Sequence, residues 1–292
     1  GYLERFNEAF QASSLKLSED NISKYLKLLI DQSGIRVKSA LTTMPAFLAF
    51  STLIETPPMS DGEIRKFLEN QAKQYIPLPL SSVSFDWVKV GERKLKNGED
   101  KFQILLVSIP NEQLQKFQNI FKAAGLKLEA VDLEGMSLAK SLTRGIKELV
   151  LIIDIGSRST SFSIAKEGLL KFSGQTDFSG GSLTQSIANG LSISQRRAED
   201  LKRQRNILGA PGERELSTLI QPLIDVIISE GKRVALNFET NFEEKVERVI
   251  LSGGGAHMLG IDTYVAHEMG LPVEKANPFT KLRHADALNP IL

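Results

Sequence analysis

The most apolar strand in the chain ends on a charged residue. LVLIIDIG (residues 149–156) has the length and composition of a buried strand, and it delivers Asp154, then Gly156, then a turn of Ser157, Arg158, Ser159 and Thr160 before a second strand, SFSI. Such a turn can cradle a phosphate. Gly156 lets the backbone approach closely, and the amides and hydroxyls of the turn donate to phosphate oxygens. Asp154, at the strand end, is placed to hold a magnesium ion through water. An ordinary hairpin whose Asp and Ser bond their own backbone fits the same residues.

Two further glycine loops follow. Gly180 and Gly181, with Ser182, open a helix, where free amides and the helix dipole favour an anion. A Ser-capped helix after a flexible turn fits these residues equally well. Gly253, Gly254, Gly255 and Ala256 come after the strand RVILS and lead into another helix. Three consecutive glycines are costly in chain entropy, so a flat group such as an adenine ring, or another backbone, needs close approach there. The spacing is neither G-x-G-x-x-G nor a P-loop, because no Gly-Lys-Ser/Thr follows.

Composition removes several functions. At 292 residues the chain has room for about two domains. A formal net charge of +1 argues against general affinity for nucleic acid or anionic membranes. The basic run Arg196, Arg197, Lys202, Arg203 and Arg205 is interleaved with Glu199 and Asp200 and reads as a solvated helix face. There are no cysteines, and His257, His267 and His284 are too scattered for a metal cluster. No apolar run approaches the ~20 residues that cross a bilayer, and no signal-peptide pattern is present, so the expected location is the cytoplasm.

Residues 1–16 read as polar and irregular. A helix capped by Ser18 then runs to Gly34, with Ile22, Tyr25, Leu26, Leu29 and Ile30 at helical spacing, and a short strand, KSALTTMP, follows. Residues 46–130 read as β-α-β-β-α-β. Their first helix carries Ile64, Phe67, Leu68 and Ala72 on one face, IPLPL (76–80) is irregular because of its prolines, residues 91–101 form a charged hairpin, and LKLEAVD closes the unit. A helix at 135–143, three strands to residue 178, and helices at 182–191 and 194–206 come next. The longest helical pattern carries Ile220, Leu223, Ile224, Ile227, Val234, Phe238 and Phe242 on one face, interrupted by Gly231. RVILS, a helix, the strand LPVEKA and a tail after Asn277 complete the chain.

The order of the three glycine loops resembles that of the actin-like ATPase superfamily. IIDIGSRSTS stands where that superfamily has its second phosphate loop, and LSGGGAHMLG where it has its adenosine motif. Within it, QAKQYIPLPLSSVSFDWVKVG (71–91), AEDLKR (198–203) and KANPF (275–279) resemble the PilM family of type IV pilus assembly proteins. The resemblance covers nearly the whole chain. PilM is favoured over its relative FtsA because the chain ends in LNPIL without an amphipathic membrane helix.

The resemblance implies an α/β, actin-like, two-lobed nucleotide-binding fold with an inserted 1C-type α+β subdomain. Subdomain 1A would comprise residues 1–45, completed by 131–148 and 281–292; subdomain 1C, residues 46–130; and the second lobe, residues 149–280, with a helical part at 194–245. It further implies ATP with magnesium. Asp154, Gly156, Ser157 and Thr160 would hold phosphates and metal, with Gly180 and Gly181 beside them. Glu199 and Lys202 would hold the ribose and base, and Gly253, Gly254, Gly255 and Ala256 the adenine. The implied partner is the N-terminal tail of a PilN-like membrane protein, docked between 1A and 1C against Tyr75, Ile76, Pro77, Leu78, Pro79 and Trp87. A proline-stiffened wall with flanking aromatic anchors suits an extended peptide, although the same residues could instead pack 1C onto 1A. Contacts with other platform proteins and self-association stay open.

The implied role is a cytoplasmic scaffold, peripheral to the inner membrane through its partner. One departure bears on it: the family opens with a hairpin carrying a first Asp-x-Gly loop, and Asp154-Ile155-Gly156 is the one D-I-G present here. A nucleotide-independent pseudo-ATPase scaffold therefore stays open, as does a small-molecule kinase, for which no general base stands out. No glutamate or glutamine in these loops clearly positions a water, so hydrolysis is expected to be slow or absent.

Overall fold

The computed structural model describes residues 18–209, 214–277 and 279. The irregular N-terminal stretch, the C-terminal part of 1A and Pro278 of KANPF lie outside the described residues. The chain divides into two compact units, Gly1–Ser137 and Leu138–Leu292.

In the first unit, α1 (Glu19–Ser33) begins where the Ser18 hydroxyl accepts from the Asn21 amide at 3.3 Å, and it stops at Gly34, whose φ of 69° suits glycine. β1 (Ser39–Met44) and β2 (Phe50–Thr56) follow. α2 (Asp61–Gln71) starts with a capping box in which Ser60 and Glu63 bond each other's backbone, so its entry is fixed on both sides. β3 (Val83–Lys94), β4 (Asp100–Pro110), α3 (Asn111–Ala123) and β5 (Lys127–Leu133) complete the order read from sequence.

Pairing departs from that reading at the last strand. β2, β4 and β3 form an antiparallel sheet in that spatial order, whereas β5 leaves it and pairs parallel with β1, Thr42 opposite Val131. Local pattern cannot reveal this, because the periodicity of a strand does not say which edge it joins.

The three-stranded sheet buries one face under α2. Ile54, Ile104 and Leu106 alternate inward along their strands, and Ile64, Leu68 and Ala72 meet them at four-residue spacing from the helix. Ile76 and Val83 close the same core.

In the second unit, α4 (Glu134–Leu142), which begins in the first, leads to β6 (Val150–Ile155), β7 (Thr160–Lys166) and β8 (Leu169–Thr176). α5 (Gly180–Gly190), α6 (Gln195–Gln204), α7 (Arg214–Phe242), β9 (Arg248–Ser252), α8 (Ile261–Met269) and β10 (Val273–Lys275) follow. The sheet runs β10-β9-β6-β7-β8, parallel from β10 to β6 and antiparallel from β6 to β8. β6 is central, which is why it is apolar at every position up to Asp154. α7 packs on α5 and on the sheet, burying Ile220, Ile224, Ile227, Val234 and Phe238. Gly231 sits where Ile153 and Phe162 press on the helix: a Cβ there would lie 3.4 Å from each side chain. The glycine makes room for the sheet, and the helix continues through it.

Candidate functional site

β6 and β9 run parallel and end together, an arrangement whose carboxyl edge commonly receives ligands. Asp154 stands at that edge, opposite Ser252 on β9 and Ser161 on β7. Residues paired across strands project to the same face, so the three form a polar row across the sheet. Burial pushes the Asp154 carboxyl above its ordinary pKa, opposed by a hydrogen bond with Ser252. The Ser161 hydroxyl is buried and has no hydrogen-bond partner among the described residues.

The glycine triplet next to this row divides its labour. Gly253 has φ 78°, and a Cβ there would lie 2.6 Å from the Ile155 carbonyl oxygen and 2.7 Å from Asp154 Oδ1. Gly255 is pressed onto the Ile155 side chain. Close packing on Ile155, against its carbonyl at Gly253 and against its side chain at Gly255, thus takes up two of the three glycines. Gly254 alone faces open space, with nothing within 4 Å of a Cβ. Gly254–His257 forms a single 3-10 turn rather than the start of α8, and Ala256 is buried in it.

The β6–β7 turn is held from behind. Gly156 N donates to Ser159 O at 3.0 Å, and the carbonyls of Gly156 and Ser157 accept from Gly180 N at 2.8 Å and Gly181 N at 3.0 Å. Ser182 N goes to Ser179 Oγ at 3.3 Å and Leu183 N to Ser179 O at 3.1 Å. All four leading amides of α5 are therefore occupied, which corrects the expectation of an anion site there: Gly180 and Gly181 let the helix touch the turn. Thr160 is corrected likewise. It is fully buried, and its hydroxyl donates to Phe178 O at 2.7 Å. What the turn does offer is the exposed Ser157 and the amides of Ser157 and Ser159, which have no acceptor among the described residues.

Lys202 also differs from its expected role. Its buried ammonium donates to Gly180 O at 2.8 Å, Thr184 Oγ1 at 2.8 Å and Glu199 Oε2 at 2.6 Å, so its three hydrogens are spent inside the protein. Burial alone would raise the Glu199 pKa, but hydrogen bonds from Lys202 and Thr184, the Lys202 charge and a hydrogen bond from Arg203 carry it down to about 2. The pair ties α6 to the first turn of α5, which in turn holds the phosphate-type turn. It braces the site from behind.

The expected peptide wall changes as well. Ile76 belongs to the core under α2, and Tyr75, Leu78 and Trp87 lean against that core; Pro77 and Pro79 are exposed. Of the six expected residues, Trp87 borders a groove beside β3. This groove, of about 450 Å³, is bounded by residues 84–88 of β3 and 128–133 of β5, with Val107 and Ile109 of β4 and Leu114 and Gln118 of α3 as its floor. The lining pattern is informative. A ligand on a sheet face meets every second residue, as at 107 and 109, whereas consecutive residues are met only along a strand edge. Among the described residues β3 and β5 are both edge strands, so two rows of backbone donors and acceptors border the groove.

The family model for type IV pilus assembly protein PilM matches residues 9–291. The chain belongs to the PilM family. A solved PilM-PilN type IV pilus biogenesis complex superposes with a TM-score of 0.74 at 20% identity, covering 94% of this chain and 81% of that one. The cell division protein FtsA of Enterococcus faecalis is 23% identical over 325 residues, covering 92% of this chain and 73% of its own. The fold is thus the actin-like α/β fold of PilM and FtsA. No helix among the described residues is long and apolar enough to cross a membrane.

A magnesium nucleotide fits part of what this PilM-family chain presents. Asp154 with its hydroxyl neighbours, the unpaired amides of Ser157 and Ser159, and the open side of Gly254 suit a cation, phosphates and a flat base. Thr160, Lys202 and the amides of Gly180 and Gly181 are engaged elsewhere. Sequence reasoning missed Ser161, Ser252 and the β5 edge. Both serines could have been found by aligning the strand ends against Asp154; the edge depends on the crossover of β5.

Proposed function

We propose that this chain is a nucleotide-binding scaffold of the type IV pilus machine that holds the extended cytoplasmic tail of a PilN-like membrane protein. The observation that carries the proposal is the groove lined along two strand edges. A peptide laid between β3 and β5 would bond both backbones, gaining affinity from main-chain hydrogen bonds and selectivity from side chains in the groove. Val107 and Ile109 offer the apolar floor between those edges, while Trp87, opposite Leu106, turns its ring to the core under α2 and meets the groove along the strand edge. Asp86, Glu129 and Asp132 border the groove, which favours a tail carrying a basic residue among apolar ones. Such a partner would place the chain at the inner membrane without a span of its own.

At the nucleotide site, Asp154 would orient water around magnesium, the Ser157 and Ser159 amides would donate to phosphate oxygens, and Gly254 would admit the base. When bound, magnesium supplies charge neutralisation for the phosphates. Hydrolysis would be slow or absent, as a scaffold requires. The engagement of Lys202, Thr160 and the Gly180–Gly181 amides favours a second reading, in which the fold serves protein contacts alone.

The test is binding of a fluorescent PilN-like tail peptide. Asp86→Lys, on the groove side of β3, weakens a basic peptide by roughly tenfold, about 1.4 kcal/mol. Glu129→Lys provides a second check at the exposed β5 edge, likewise weakening a basic peptide and sparing the circular dichroism spectrum. Unchanged affinity in both variants ends the groove proposal.

A further inference from the structure

The polar row at the end of β6 contains a group that the protein itself leaves unsatisfied. Ser161 is 9% exposed, and its hydroxyl meets no donor or acceptor among the described residues. Leaving a buried hydroxyl unpaired costs stability, so native structures pair nearly all of them, and an exception beside a carboxylate at a strand end is a place for a bound water or ion. Its surroundings indicate which. Ser161 lies directly across the β6–β7 ladder from Asp154, which lies directly across the β6–β9 ladder from Ser252. The carboxylate stands between Ser252 on one side and the unpaired Ser161 hydroxyl on the other. Gly253 packs its backbone beside Oδ1, where a Cβ would lie only 2.7 Å away, so no larger residue could stand there.

We infer that Ser161 is a ligand-site residue, whose hydroxyl binds a water of the magnesium ion that Asp154 orients. This deepens the nucleotide half of the proposed function and rests on it. A hydroxyl suits the place because it can both donate and accept, and so can hold a metal-bound water in one orientation where a second carboxylate would add charge. The retained cost follows from the same role, since sites kept ready for a ligand hold groups that the empty protein does not satisfy.

The experiment compares wild type with Ser161→Ala, using ATP as the probe, once with magnesium and once with EDTA. The variant binds magnesium ATP about tenfold more weakly, the loss of one well-placed hydrogen bond, while its affinity in EDTA is unchanged. Its melting temperature without ligand is equal to or above that of wild type, because the unpaired hydroxyl is gone. A merely structural serine would lower the melting temperature or move both affinities together, and either result overturns the inference. Equal magnesium ATP affinity in the two proteins overturns it alone. If wild type binds no magnesium ATP, the nucleotide half of the proposed function falls, and this inference with it.

Discussion

Lys202 separates a nucleotide-contacting role from a bracing one, and Lys202→Met tests the difference. Methionine keeps most of the apolar stem and removes the ammonium with its bonds to Gly180, Thr184 and Glu199. One member of a fully buried ion pair is worth roughly 3–5 kcal/mol when removed alone, because its partner stays buried and uncompensated. Here the partner is less stranded: the Glu199 side chain is 34% exposed and keeps Arg203 at 2.9 Å. Water and Arg203 take over part of the compensation, so the expected loss is about 2–3 kcal/mol. Amide hydrogen exchange in α5 and α6 is the suitable assay, since it reports local opening in a chain of two units. Adding Glu199→Gln recovers part of the loss by removing the uncompensated charge. Unchanged exchange together with a tenfold loss of magnesium ATP affinity would refute the bracing role and return Nζ to the nucleotide.

Three further outcomes follow from the same geometry. Gly255→Ala drives a methyl into Ile155 and destabilises the second unit by about 1–3 kcal/mol, as overpacking does, whereas Gly254→Ala leaves its urea midpoint unchanged and lowers ATP affinity. Glu199 has a folded pKa of about 2 against an ordinary 4.5, so its contribution is present above pH 4.5 and is lost as pH falls toward about 2; amide protection in α5 and α6, taken relative to the intrinsic exchange rate at each pH, falls across that window in wild type and changes less in Lys202→Met. Ile76→Ala, in the core under α2, lowers the stability of the first unit by about 2–5 kcal/mol, while Pro77→Ala has little effect on the same denaturation curve.

Much of this protein is legible in its sequence because its signals are local. Ser18 and Gly34 bound α1, the alternation of Ile104 and Leu106 marks an inward face, and the continuous apolarity of β6 announces a central strand. What resisted reading depends on distant partners. The amides of Gly180 and Gly181 look free until the carbonyls of Gly156 and Ser157 arrive from another loop. Lys202 looks available until Gly180 and Thr184 enclose it. IPLPL looks like an exposed wall because its prolines are exposed, although the isoleucine between Tyr75 and Pro77 turns into the core. The groove required knowing that β5 crosses from one sheet to another, which no periodicity records.

The most direct test of the scaffold account is backbone amide exchange in the presence and absence of a PilN-like tail peptide. Strand addition along the groove protects amides within residues 84–88 of β3 and 128–133 of β5, and leaves the 75–80 segment as it was. Protection confined to residues 75–80, or found in neither strand edge while the peptide is bound, would contradict it.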